Sequence, residues 1–187
     1  MKIICLCGSP KGPVSVTMQY VKYLELKYPQ HEFVHIHAAQ QIHRLEKNME
    51  FFDEIMEKIK SADFVLWAFP LYILHVHGNF KRFIELIFEF KKEKIFEGKY
   101  CAAISSSINF YDNTAHNYIN AISDDLGMKY IDFFSAHMNL LTKSEGRKKL
   151  LGFAEYIFNC IDSKILPAKH YDKIDYIEKP YLPGAGL

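Results

Sequence analysis

The first seventeen residues constrain the fold more than any other part of the chain. The apolar run at residues 3–7 leads into a Gly/Ser-rich loop at residues 8–15, and helix-forming sequence follows. Backbone N–H groups at a helix N-terminus have no partner within the helix, and the helix dipole adds partial positive charge, so such a loop favours an anion. The segment lacks the GKS or GKT of a Walker loop and the GxGxxG of a dinucleotide fingerprint. It therefore predicts a loop that binds one terminal phosphate monoester.

The composition indicates one well-packed domain that acts on small molecules or proteins. The chain has 187 residues, of which 49% are hydrophobic and 15% aromatic, enough for a single core. Its 23 Lys and Arg residues against 22 Asp and Glu residues give a net charge of +1, which argues against nucleic acid as a partner. The apolar runs are shorter than the ~18 residues of a membrane span, and residues 1–8 are too short for a signal peptide. We therefore expect a cytoplasmic protein.

The four cysteines carry no signature of a metal or redox site. They are Cys5, Cys7, Cys101 and Cys160, and no two of them have CxxC spacing. Cys5 and Cys7 lie two residues apart on a predicted strand, so both face the same side of the sheet. We expect buried cysteines that pack as small hydrophobic residues.

Strand-length apolar runs alternate with helical stretches along the chain, which is typical of βαβ units. The predicted strands lie near 2–7, 32–37, 63–69, 99–105 and 129–136, and the predicted helices lie near 15–27, 48–60, 79–92, 112–126 and 144–162. Right-handed crossovers favour an α/β three-layer sandwich with a flavodoxin-like five-stranded parallel sheet in the order 2-1-3-4-5. We expect a domain over residues 1–163, followed by a Pro/Tyr-rich tail or linker over residues 164–187.

Three short motifs resemble those of a known family. They are Gly8-Ser9-Pro10 after the first strand, Pro70-Leu71-Tyr72 after the third, and Gly78, Lys81, Phe83 and Ile84 in the following helix. Over roughly residues 1–162 the chain resembles the NADPH-dependent FMN reductase and iron–sulfur flavoprotein branch of the flavodoxin superfamily. The resemblance implies an oxidoreductase that binds FMN non-covalently and passes electrons from NAD(P)H, or from a protein donor, to an unidentified acceptor.

The resemblance also assigns cofactor-binding residues, position by position, to three loops. In the first loop, Ser9, Lys11, Ser15, Val16 and Thr17 match the residues that hold the FMN phosphate. In the second loop, Pro70, Leu71, Tyr72 and Ile73 match residues along the flavin ring and ribityl chain. In the third loop, Ser105, Ser106, Ser107, Asn109, Phe110 and Tyr111 match residues that cover another edge of the flavin. No catalytic acid–base pair is implied, because the flavin carries the chemistry.

The chain departs from the family pattern in the same loops. Leu74 stands where the family usually has glycine, and residues 105–111 contain no glycine. Because glycine permits close backbone approach and positive φ, these changes predict a reshaped flavin crevice. Pro13 removes one donor from the phosphate loop. Residues 38–43 lack the cysteines of the iron–sulfur members, so we expect no iron–sulfur cluster.

Histidine is abundant, with nine residues, but its spacing does not predict a metal site. The pairs His35/His37 and His75/His77 each lack an identifiable third ligand. His75 and His77, beside the predicted flavin site, are candidates for contact with substrate or flavin. We expect His116, at the start of a predicted helix, to be a surface or capping residue.

Two further questions stay open at this point. The aromatic helix near 79–92 and the tail suggest more apolar surface than one small domain covers, which predicts a homodimer or higher homo-oligomer. The altered loops also allow a non-catalytic electron-carrier or dimerisation module with a degenerate flavin site, or a domain that binds another phosphorylated ligand.

Overall fold

The computed structural model describes residues 1–108 and 111–171, over which five strands alternate with six α-helices. The strands are β1 (Lys2–Cys7), β2 (Glu32–Ile36), β3 (Phe64–Pro70), β4 (Tyr100–Ser107) and β5 (Lys129–His137). The helices are α1 (Val16–Lys27), α2 (Ile42–Lys47), α3 (Met49–Lys60), α4 (Gly78–Glu89), α5 (Asn113–Asp125) and α6 (Ser144–Asp162). All five predicted strands and all five predicted helices are confirmed, whereas the short helix α2 was not predicted. None of the helices in the described ranges combines the length and the apolarity needed to cross a membrane.

The strands form one parallel sheet in the order β2-β1-β3-β4-β5, as predicted. The central strand β3 is buried along almost its whole length. The edge strands β2 and β5 are only partly buried, because each has a neighbouring strand on one side alone. The carboxyl ends of β1, β3 and β4 lie next to one another at one edge of the sheet, which brings the three predicted loops together.

Helices cover both faces of the sheet and divide the interior into two cores. Helices α1 and α6 pack on one face, where Cys5 and Cys7 are buried side by side. Helices α2 to α5 pack on the other face, where Cys101 is buried. Burial raises the pKa of the Cys5 and Cys101 thiols, so both stay protonated. The prediction that these cysteines are packing residues is confirmed.

The aromatic helix α4 turns its rings inward. Phe80 and Phe83 are fully buried, and the Phe80 ring meets the buried Trp67 of β3 edge-on at 5.9 Å between centroids. Gly8, at the end of β1, lies so close to the Phe80 ring that a Cβ at this position would overlap it. Phe80 and Phe83 therefore belong to the core, and these two rings do not support a subunit interface on this helix.

Candidate functional site

The first loop carries the chain from β1 into α1 at the carboxyl edge of the sheet. Ser9 is almost fully buried, and its Oγ accepts a hydrogen bond from the Lys11 N–H at 3.2 Å. A 3-10 turn over Gly12–Val14 follows, with Gly12 in the left-handed region at φ 57°. Ser15 then caps α1, because its Oγ accepts from the Met18 N–H at 3.3 Å. The loop is thus held by its own side chains in the conformation that starts the helix.

Two backbone donors at the start of α1 remain available. The cap satisfies the Met18 N–H, and the Ser15 carbonyl accepts from the Gln19 N–H at 3.2 Å. The N–H groups of Val16 and Thr17 have no acceptor among the described residues. The first N–H groups of a helix have no partner within it, and together with the helix dipole they attract an anion.

The second loop follows β3 and closes on itself in a tight turn. The Leu71 N–H donates to the Ser106 carbonyl at 3.0 Å, which ties this loop to β4. Tyr72 and His75 then pair through two backbone hydrogen bonds, of 2.7 and 3.1 Å. The two residues between them, Ile73 and Leu74, both have positive φ, at 42° and 66°.

The third loop follows β4 and is joined to the first. Ser106 Oγ lies 2.6 Å from Thr17 Oγ1, and both side chains are buried. Ser106 and Ser107 end the strand, and the exposed Ile108 follows. Asn109 and Phe110, which the sequence predicted for this loop, lie outside the described residues.

The three loops enclose a cavity of about 230 Å³, the first cavity. Nine residues from the sequence prediction line it, namely Ser9, Lys11, Ser15, Val16, Pro70, Leu71, Tyr72, Ser106 and Ser107. Val14, Ile108 and Met138 complete the lining. Met138 was missed, although it directly follows β5 and so belongs to the same edge of the sheet.

A second cavity of about 400 Å³ adjoins the first. Leu71, Ser107 and Ile108 line both cavities. Ile73, Leu74 and Tyr111 also line the second cavity, and none of its lining residues within the described ranges is charged. The predicted cofactor-binding residues Ile73, of the second loop, and Tyr111, of the third, therefore lie on this cavity rather than on the first.

Four other predicted residues line neither cavity. Thr17 and Ser105 are fully buried behind the first cavity. His77 caps α4, because its Nδ1 accepts from the Asn79 N–H at 3.1 Å, and its ring meets Tyr72 edge-on. The His75 ring packs against Tyr118 at 4.8 Å, and burial, reinforced by the nearby Lys81, lowers the pKa of His75.

A buried polar network stands behind the third loop. Asp112 Oδ2 accepts hydrogen bonds from Ser105 Oγ at 2.5 Å and from Ser135 Oγ at 2.6 Å. His116 Nε2 lies 2.9 Å from Ser105 Oγ and 3.3 Å from Asp112 Oδ2. Burial alone would raise the pKa of Asp112, but hydrogen bonds from His116, Ser105 and Ser135 lower it to about 2.

This network corrects the expectation for His116. The side chain is only 1% exposed and stacks on the Phe133 ring, with 4.1 Å between centroids, so it is neither a surface nor a capping residue. Because Asp112 and His116 share Ser105 between them, the network fixes the end of the third loop against β4, β5 and α5. Ser105 is fully buried, which excludes it as an exposed nucleophile. The i, i+4 spacing of Asp112 and His116 is the sequence signal that could have found the pair.

Over residues 1–108 and 111–171, no three His, Cys, Asp or Glu side chains come together in a way that could hold a metal ion. His35, on β2, and His37, directly after the strand, have nearly parallel rings with centroids 6.5 Å apart. His35 Nε2 is paired with Glu25 Oε2 at 3.0 Å.

Comparison with known proteins agrees with the resemblance seen in the sequence. The family model described as NADPH-dependent FMN reductase matches residues 1–137, which include the first and second loops and the described part of the third. No curated protein matches the chain significantly.

Several solved structures share the fold. NADH:FMN oxidoreductase (EMOB), in its apo form, gives a TM-score of 0.71 at 16% identity over 90% of this chain and 95% of that one. The NAD(P)H:(acceptor) oxidoreductase FerB from Paracoccus denitrificans gives 0.72 at 20% identity over 87% and 97%. An FMN-dependent NADH-azoreductase from Bacillus anthracis, in complex with FMN, gives 0.59 at 15% identity over 83% and 98%. At these identities the likeness shows the fold alone.

Proposed function

Because the chain belongs to the NADPH-dependent FMN reductase family, we propose that it binds FMN and passes electrons from NAD(P)H to an acceptor molecule. The observation that carries the proposal is the first cavity, where hydroxyl groups, one lysine and two unpaired backbone donors surround the start of α1. FMN has a phosphate at one end and a flat ring at the other; the polar side chains of Ser9, Lys11 and Ser15 come from the first loop, and Pro70 and Leu71 come from the second. The residues present therefore fit this cofactor.

The phosphate end is assigned to the first loop. Ser9 Oγ and Ser15 Oγ each already accept a backbone N–H, so each hydroxyl can turn its own proton towards a phosphate oxygen. The N–H groups of Val16 and Thr17 add two donors, and Lys11 adds a positive charge. The Thr17 side chain does not line the cavity, but its hydrogen bond to Ser106 holds the third loop beside the first.

The ring end is assigned to the second and third loops. When bound, FMN supplies hydride and electron transfer, and the protein supplies position and hydrogen bonds. Pro70 and Leu71 form one wall of the first cavity. Tyr72 extends this wall beside the place proposed for the flavin ring; its own ring is partly exposed and packs against His77. Ile108 faces this wall from the third loop and helps to exclude water.

We further propose that two copies form a dimer with closed two-fold symmetry. The support is apolar surface on the edge strand β5 and directly after it: Phe133, in the middle of the strand, is 43% exposed, and Met138, which follows the strand, is 40% exposed. A second copy would cover such side chains and protect the strand edge. Light scattering that gives the mass of one chain would overturn this part of the proposal.

The visible spectrum of the purified protein tests the main proposal. We expect flavin absorption bands, present on purification or restored by added FMN, that bleach when NADH or NADPH is added without oxygen. Flavin bands that neither nucleotide bleaches would support an electron carrier instead. A colourless protein that ignores added FMN would overturn the proposal.

A further inference from the structure

The turn at the tip of the second loop is built from residues that are poorly suited to it. Two residues that connect paired strand positions with positive φ at both form a type I′ turn, which strongly favours Asn-Gly. Ile73 and Leu74 occupy these positions at φ 42° and 66°. A β-branched residue such as isoleucine is a rare outlier in this region of φ, because its Cβ branches crowd the backbone.

Nothing in the described chain compensates for this strain. Ile73 is 95% exposed and Leu74 is 48% exposed, so neither gains much stabilisation by burial in the core. Strained backbone that persists without a packing gain is found mainly at functional sites. The position of the turn shows which function is involved.

Both side chains line the second cavity. Among the residues that the structure describes, its lining is aliphatic or aromatic apart from Ser107, with no charged group. It continues from the first cavity through the shared Leu71 and Ile108, so a molecule in it would lie next to the ring end of a bound cofactor. Such a wall selects for an uncharged, apolar and flat molecule.

We propose that Ile73 and Leu74 are specificity-determining residues that form the apolar wall of the electron-acceptor site, and that their strained turn is retained for this contact. This inference rests on the proposed function. The acceptor class is an uncharged, conjugated ring compound that takes two electrons. For the probe 1,4-naphthoquinone, one NAD(P)H and one proton from water give 1,4-dihydroxynaphthalene and NAD(P)⁺, so electrons and protons balance.

The test replaces the two side chains with the residues that the turn favours, Ile73→Asn with Leu74→Gly. The matched control is Lys91→Gly with Lys164→Gly, since these exposed lysines also have positive φ, at 55° and 53°, but line neither cavity. Both double variants should raise Tm, because both relieve unfavourable φ values. Only the turn variant should change acceptor selection.

Acceptor selection is measured as the ratio of kcat/KM for 1,4-naphthoquinone to kcat/KM for ferricyanide. Ferricyanide is charged and takes one electron at a time, so two are reduced per NAD(P)H, with release of one proton. We expect the ratio to fall at least about tenfold in the turn variant and to stay constant in the control. The binding of 2-naphthol, a non-reducible compound of similar shape, should weaken to the same extent by calorimetry.

Three results would overturn the inference. An unchanged ratio and unchanged 2-naphthol binding would show that the wall does not contact the acceptor. A large loss of FMN affinity in the turn variant would assign the two residues to the cofactor instead. A changed oligomeric mass with an unchanged ratio would assign them to a subunit contact. A wild-type protein that binds no FMN and reduces no ferricyanide would overturn the proposed function itself. This result is distinct from the other three, because it is seen without any substitution in the turn.

Discussion

Replacing Asp112 with asparagine should destabilise the protein by about 2–3 kcal/mol at neutral pH. The carboxylate accepts hydrogen bonds from Ser105 and Ser135 and faces His116, and these groups lower its pKa from 3.8 to about 2 despite burial. An asparagine oxygen can still accept from the two serines but has no charge. The loss therefore measures what the charge contributes.

The pH dependence of this effect has a definite sign. The pKa of Asp112 is lower in the folded state than in the unfolded state, so its stabilisation is complete above about pH 4. It is lost as the pH falls from about 4 towards 2, when the carboxyl becomes protonated in both states. The stability gap between the native protein and the Asp112→Asn variant should close over this range.

Urea unfolding of the two proteins at several pH values between 7 and about 3 measures the gap. Asp125→Asn is the matched control, because Asp125 ends α5, the helix that Asp112 directly precedes, and its side chain has no hydrogen bond or ion pair with the described residues. The control should be close to the native protein throughout. Equal stability of Asp112→Asn and native protein at pH 7, or a gap that stays constant down to pH 3, would refute the reasoning.

Three further predictions concern the cofactor and the tail. Ser9→Ala and Ser15→Ala should each weaken FMN binding by about 1.5–3 kcal/mol in a fluorescence titration, because each removes a hydrogen bond to a charged group. Unchanged affinity in both variants would place the phosphate elsewhere. Tyr72→Ala should cost about 1–3 kcal/mol of FMN affinity through a lost aromatic contact, and an unperturbed flavin spectrum and affinity would leave Tyr72 as a packing residue. Deleting residues 168–187 should leave FMN affinity unaltered, because the tail begins against Asp124, at the end of α5 opposite the cavities. Weaker FMN binding would contradict this, and a dimer that dissociates would show that the tail is an arm of the interface.

The regular elements could be predicted because their signals are local. Each buried strand is a short apolar run, and α6 repeats apolar residues at helical spacing. Leu150, Ala154 and Ile157, which recur at this spacing, are all buried in the core. The helix α2 was missed because it has only six residues and no side-chain cap at Gln41, so neither length nor capping identifies it.

The candidate site could be predicted in part, because locating the carboxyl end of one parallel strand also locates the loops that follow its neighbours. The first cavity collects residues from each predicted loop, since the carboxyl ends of adjacent parallel strands meet at one edge. The burial of His116 was not predictable, because it depends on Ser105 and Phe133, which reach it from two different strands. The strained turn was only partly visible: the family's usual glycine at the position of Leu74 pointed to a positive φ there, whereas nothing in the sequence indicated one at Ile73.

The contact chain from Gly8 through Phe80 to Trp67 gives the protein a built-in optical probe. Trp67 is its only tryptophan. Its ring contacts Phe80, and Phe80 contacts Gly8 at the start of the loop assigned to the phosphate. Indole emission overlaps flavin absorption, so a flavin bound in the first cavity would quench the fluorescence of Trp67 by resonance energy transfer. Excitation at the red edge of the absorption band avoids the 12 tyrosines. The fluorescence lifetime of one native side chain then reports cofactor occupancy without any label.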